Sequence, residues 1–128
     1  MSDFKKLKAK AFEACQNAYA PYSKFKVGAA LLTRQGNVYV GNNIENASYS
    51  LGCCAERVAI FNAVSNGEKD FNTLVVIGDT QEAISPCGAC RQVMSEFFNE
   101  DTKIILTNYK DERLDMTIKD LLPYSFDL

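Results

Sequence analysis

Leu74-Val75-Val76-Ile77-Gly78 is an unbroken apolar run, largely β-branched, with no charge or hydroxyl in it. A strand with one wet face alternates apolar and polar residues. An unbroken run instead marks a strand covered on both faces, as in layered α/β sheets. Upstream of this run, residues 54–64 predict a helix with Ala55, Val58, Ala59 and Ala63 small or apolar, stopped by Asn66-Gly67. Downstream, Ser85-Pro86 opens another helix, with Pro86 in its first turn, where a missing N–H costs little. That helix carries Cys90, Val93, Met94, Phe97 and Phe98 inward. Residues 103–107 predict a further strand, 114–117 a short one, and 118–122 a last short helix ended by Pro123.

The N-terminal third follows the same logic. Ser2 caps a first helix whose apolar positions Phe4, Leu7, Ala11, Ala14, Cys15 and Ala18 recur at helical spacing, and Pro21 ends it. Cys15 sits on that apolar face and reads as a small core residue. Residues 27–33 predict a buried strand, Arg34-Gln35-Gly36-Asn37 a turn, and 38–40 the second strand of a hairpin. Polar groups crowd the stretch from Gly41 to Asn46, and 46–52 reads as a loop. Strands alternating with helices, without repeat or linker, indicate one α/β layered domain over residues 1–128.

Composition narrows the function. A chain of 128 residues suits a single domain with a real core. A formal net charge of −2 leans away from nucleic-acid binding, which usually demands a basic patch. No apolar run approaches a membrane span, and the opening Met-Ser-Asp-Phe-Lys-Lys carries no export signal, so a cytoplasmic location is expected. The five cysteines are odd in number, which fits metal binding better than a disulfide framework. Histidine is absent, so the commonest zinc ligand and the commonest neutral-pH base are both missing. A metal site here must rest on thiolates, and a proton carrier on a carboxylate.

Two pieces supply such groups: Cys54-Ala55-Glu56 and Pro86-Cys87-Gly88-Ala89-Cys90, each where a loop enters a helix. Cys87 and Cys90 lie one helical turn apart and share a face. Helix N-termini favour thiolate over thiol. Cys54, Cys87 and Cys90 would give a zinc ion three protein ligands and leave its fourth position open, as in catalytic zinc sites. Glu56 is placed to take a proton from a water there. Three thiolates on a dication leave a net charge of −1 (2 − 3), and Arg57 is the candidate to offset it. Two structural readings compete: a closed four-cysteine site that includes Cys53, and a redox pair of Cys87 with Cys90. Adjacent side chains diverge, which disfavours the first. The second leaves Cys54-Ala55-Glu56 unexplained.

Taken with Tyr19-Ala20-Pro21-Tyr22-Ser23-Lys24-Phe25, Val27-Gly28-Ala29-Ala30-Leu31, Asn43-Ile44-Glu45-Asn46-Ala47 and Ser85 to Gln92, these motifs resemble the small homotetrameric class of zinc-dependent cytidine deaminases. The larger dimeric class has histidine where this sequence has Cys54. The resemblance implies a three-layer α/β/α sandwich with a mixed, roughly five-stranded sheet. It implies hydrolysis of cytidine and 2′-deoxycytidine to the uridines and ammonia, in pyrimidine salvage, with Glu56 carrying protons. It also implies further roles: Asn43 and Glu45 hold the ribose, Glu45 accepting from the 3′-hydroxyl. Phe25 belongs to the nucleoside pocket, and the Ala55 N–H faces the base. Phe126 and Tyr49 belong to a pocket shared between subunits of a homotetramer. A deaminase of another cytosine compound such as blasticidin S, disfavoured by the Asn43-x-Glu45 pair, and an RNA- or DNA-editing deaminase are the rival readings.

Overall fold

The computed structural model describes residues 3–128, so the expected Ser2 cap lies outside the described residues. The elements run α1 (Asp3–Gln16), β1 (Val27–Thr33), β2 (Val38–Asn42), α2 (Ala55–Ser65), β3 (Phe71–Gly78), α3 (Gly88–Phe97), β4 (Lys103–Asn108), β5 (Arg113–Met116) and α4 (Ile118–Leu121). A single turn of 3₁₀ helix, Tyr49–Leu51, interrupts the expected 46–52 loop.

The Leu74 to Gly78 run lies in β3, the central strand of the sheet. The strand order is β2-β1-β3-β4-β5, with β3 antiparallel to β1 and parallel to β4. The two edge strands pair antiparallel, β2 with β1 and β5 with β4. Side chains alternate along β3, and both faces are covered. Leu74 and Val76 pack with Ala59 and Ile60 of α2 and Met94 of α3. Val75 and Ile77 pack with Leu7, Ala11 and Cys15 of α1. Leu74 to Ile77 are all fully buried, at about 2 kcal/mol of transfer free energy each. The result is the three-layer α/β/α sandwich with a mixed five-stranded sheet. No helix among the described residues is long and apolar enough to cross a membrane.

Connectivity then gathers two helix N-termini at one end of β3. The parallel pairing of β3 with β4 requires a crossover, which α3 supplies, so α3 starts where β3 stops. The short 66–70 connection brings the last turn of α2 to the start of β3, which directs its first turn to the opposite end. Gly41 lets that first turn sit directly on β2. A Cβ there would lie 2.4 Å from Ala59 N and 2.5 Å from Ala55 O. On the other face, a Cβ at Gly28 would lie 2.0 Å from Ala11 O, so α1 touches β1 backbone to backbone.

Several expected boundaries move. Helix α1 stops at Gln16, well before Pro21, because the Tyr19 backbone is taken by a bridge to Ile44, with Tyr19 N donating to Asn43 O at 2.9 Å. Pro86 is not in the first turn of α3. Cys87 is the cap, with extended backbone, and its sulfur accepts from Cys90 N at 3.5 Å. Strand β2 continues to Asn42 because Gly28 pairs with it, and β3 begins at Phe71 because Thr33 does.

Asn108, fully buried at the end of β4, locks two turns together. Its Nδ2 donates to Thr80 O (2.9 Å) and Gln81 O (3.1 Å), while its Oδ1 accepts from Lys110 N and Glu112 N, both at 3.0 Å. The segment leading from β3 toward Cys87 is thereby tied to the β4–β5 turn.

Candidate functional site

The two helix starts deliver three sulfurs to one point. Cys54 caps α2, Cys87 caps α3, and Cys90 lies in the first turn of α3. Sulfur–sulfur distances are 3.7 Å for Cys54–Cys87 and 3.3 Å for Cys87–Cys90, and all three lie within 4.8 Å of one another. Tetrahedral zinc with sulfur at about 2.3 Å needs sulfurs about 3.8 Å apart. The cluster has the size and donor chemistry that zinc requires. Cys53 is not part of it; its backbone bridges Ile44 and its burial raises its thiol pKa. Cys15 is a core residue on the far layer, its sulfur 3.4 Å from the Tyr109 hydroxyl.

The electrostatics favour an anion at Cys54. Hydrogen bonding from the Cys90 thiol, then from Arg57, brings Cys54 down to about 5, while the same pairing with Cys54 pushes Cys90 up. Arg57 Nη2 donates to Cys54 Sγ at 3.5 Å, which raises the Arg57 pKa in turn. Arg57 Nε is buried with no hydrogen-bond partner among the described residues. Next to the sulfurs, Glu56 is only 4% exposed. Burial lifts its carboxyl to about 6, close to neutrality, where a proton carrier works best.

A pocket of about 500 Å³ opens beside Cys54 and Arg57, within the usual range for small-ligand sites. Asn43, Glu45 and Tyr49 line it, as do Tyr22, Ser23 and Cys53. Asn43 is held by Val27 N to its Oδ1 (2.9 Å) and by its own Nδ2 to Phe25 O (2.7 Å). Glu45 accepts from Tyr22 N (3.0 Å), Ser23 N (3.1 Å) and the Ser23 hydroxyl. Tyr49 is 81% exposed and meets Tyr22 edge to face at 6.2 Å. Ala55 is fully buried at the start of α2.

The structure therefore groups Cys54, Cys87, Cys90, Glu56 and Arg57, and adjoins them to Asn43, Glu45 and Tyr49. It does not bring Phe25 or Phe126 into that lining. The Phe25 ring packs 3.4 Å from where a Gly78 Cβ would be. Phe126 lines a separate groove with Gln92, Ser95 and Glu96, and its carbonyl accepts from Gln92 Nε2 at 3.3 Å.

Two contributors carried no role in the sequence reading. Ser23 grips Glu45 from 22 residues away, a contact that no local spacing signals. Arg91 binds Pro86 O (2.9 Å), the Ser85 hydroxyl (2.9 Å) and Leu121 O (3.0 Å), which ties the turn before Cys87 to α4. Its place right after the second cysteine pair was a usable signal.

Comparison with known proteins agrees with this geometry. Residues 1–107 match the family described as cytidine and deoxycytidylate deaminase zinc-binding region. A curated cytidine deaminase of Sporosarcina psychrophila is 51% identical over 124 residues, covering 97% of this chain and 91% of that protein. One of Halalkalibacterium halodurans is 50% identical over 116 residues, covering 91% and 88%. The crystal structure of cytidine deaminase from Burkholderia pseudomallei superposes with a TM-score of 0.93 at 46% identity, covering 98% of this chain and 100% of that one.

Proposed function

The chain belongs to the family of cytidine and deoxycytidylate deaminases that share this zinc-binding region, and from that premise we propose that it hydrolyses cytidine and 2′-deoxycytidine to the corresponding uridines and ammonia. The observation that carries the reading is the three-sulfur cluster beside a buried carboxyl, with one of its sulfur-bearing residues, Cys54, lining a pocket together with Asn43 and Glu45.

Cys54, Cys87 and Cys90 hold the metal in this reading. Zinc held there would supply Lewis acidity, lowering the pKa of the attacking water toward neutrality. Glu56 takes a proton from the attacking water and delivers it to N3 of the pyrimidine; it then takes the proton of the hydroxyl added at C4 and passes it to the amine nitrogen, so that the C4 carbonyl forms as the C4–N bond breaks and ammonia leaves. Its burial suits both halves of that task, because a carboxyl lifted toward neutrality can accept and release protons near physiological pH. Arg57 balances the thiolate charge from its bond to Cys54. Asn43 and Glu45 hold the sugar, and the Ala55 N–H meets the base. Phe25 borders the nucleoside once it is bound.

Phe126 and Tyr49 complete the pocket across subunits of a homotetramer. Support for that assembly is the exposure of both rings, 70% and 81%, in the single chain. The enzyme works in the cytoplasm, in pyrimidine salvage, on free nucleosides rather than nucleic acid. The test measures zinc content and cytidine turnover on one sample, with blasticidin S assayed alongside. Zinc near one per chain with loss of cytidine absorbance supports the reading. Activity in metal-free protein, or turnover of blasticidin S alone, refutes it. Sedimentation decides the tetramer.

A further inference from the structure

Glu45 lines the pocket with its carboxylate already engaged on both oxygens. Its Oε1 accepts the N–H groups of Tyr22 and Ser23, and its Oε2 accepts the Ser23 hydroxyl. The direction of that hydroxyl is fixed. Phe25 N–H donates to Ser23 Oγ at 3.0 Å, so the hydroxyl proton is left to point at Glu45. The Tyr22-Ser23 turn is itself held firmly. Lys24 adopts a left-handed φ of 61°, and its N–H bonds Ala20 O at 3.0 Å. On the other side, Glu45 N donates to Tyr19 O at 2.8 Å within the Tyr19–Ile44 bridge. The Ser23 contacts, the hydroxyl first, also hold the Glu45 carboxyl below the ordinary range, so it is purely an acceptor at working pH.

An ionised carboxylate offers about four acceptor positions. Three are filled from the Tyr22-Ser23 turn, and the fourth lies on Oε2, beside the Ser23 hydroxyl. We propose that Ser23 is a positioning residue that fixes the Glu45 carboxylate so that its one remaining acceptor position meets a single sugar hydroxyl, making Ser23 a determinant of the site's demand for that hydroxyl. This rests on the nucleoside reading above. Removing the hydroxyl opens a second position on Oε2 and leaves the carboxylate anchored through Oε1 alone, free to turn about its terminal torsion. The penalty falls on substrates that carry the recognised hydroxyl and spares those that lack it.

The experiment is steady-state kinetics of the zinc-loaded wild type, Ser23→Ala and Ser23→Thr with cytidine, 2′-deoxycytidine and 3′-deoxycytidine. A lost charge-assisted hydrogen bond is a change of roughly tenfold or more. The expected result for Ser23→Ala is a KM about tenfold higher for cytidine and 2′-deoxycytidine, with kcat held within about twofold. The KM for 3′-deoxycytidine moves less than about twofold, because the bond it would weaken is already missing. Ser23→Thr, which keeps the hydroxyl, restores cytidine KM to within about threefold of wild type. A merely structural Ser23 would shift all three substrates by one common factor, and that result overturns the proposal, as does an unchanged cytidine KM. A wild type with no cytidine turnover refutes the nucleoside reading itself, and this inference with it.

Discussion

Replacing Arg57 by alanine tests the electrostatic account of the metal centre most directly. Arg57 Nη2 stands 3.5 Å from Cys54 Sγ. At an effective dielectric constant of about 20, a unit charge pair at that distance is worth about 5 kcal/mol. Two effects oppose it. The orphaned Arg57 Nε disappears with the side chain, relieving about 1–2 kcal/mol of unsatisfied burial, and water can enter the space left behind. The net loss in zinc affinity is therefore about 3 kcal/mol, roughly a hundredfold, the size expected when a ligand's hydrogen-bonding partner is removed. Arg57→Lys keeps the charge but not the planar fork and recovers only part of it. Competition against a chromophoric chelator at fixed pH measures both affinities, with thermal melting of the zinc-loaded variants as the control for folding. An Arg57→Ala protein that binds zinc within about twofold of wild type would show that the sulfur cluster tolerates its own negative charge, and the argument from charge balance would fall.

Other perturbations separate chemistry from scaffold. Glu56→Gln keeps the shape and the metal but cannot accept a proton; turnover should fall by about 10²–10⁴ while zinc content by atomic absorption stays at the wild-type value. Gly41→Ala forces a methyl group to within 2.4–2.5 Å of the α2 backbone, so the helix must shift; a loss of about 1–3 kcal/mol by denaturant titration is expected, together with weaker zinc binding. Asn108→Ala strips the partners from two N–H groups and two carbonyls in a buried place; a loss of about 2–4 kcal/mol should appear as a lower denaturant midpoint with an unchanged slope.

What the sequence disclosed and what it hid differ by the range of the interaction involved. The Leu74 to Gly78 run, the Gly36 turn and the Cys87–Cys90 spacing are local, and each lies where its pattern placed it. The end of α1 was misplaced because the deciding contact, Tyr19 with Ile44, is made with a strand-like segment far along the chain. Pro86 lies two residues before the first residue of α3 rather than in its first turn, because a cysteine sulfur does the capping that serine or aspartate usually does. The sulfur cluster was legible because its chemistry constrains residue type. Ser23 was not, since a serine in a turn announces nothing about a carboxylate 22 residues away. Phe126 is a different case: its ring is 70% exposed in the single chain, and spacing within one chain does not say what covers it.

The absence of histidine and the form of the fold are parts of one solution. With three thiolates on a dication, the ligand set is left at −1 (2 − 3), a charge that a dry site resists. Each helix N-terminus carries about half a positive charge, and both α2 and α3 begin at the cluster, together contributing about +1. Arg57 adds one more, for about +2 facing −1. An ionised Glu56 beside the sulfurs brings the total to about zero (2 − 1 − 1), so a proton passed from a water to Glu56 would leave the balance unchanged. A neutral histidine in place of Cys54 would leave about one positive charge unbalanced in the resting site. Two helices converging on β3 are thus more than a convenient frame for the cysteines: their direction makes a three-thiolate, histidine-free centre electrostatically possible.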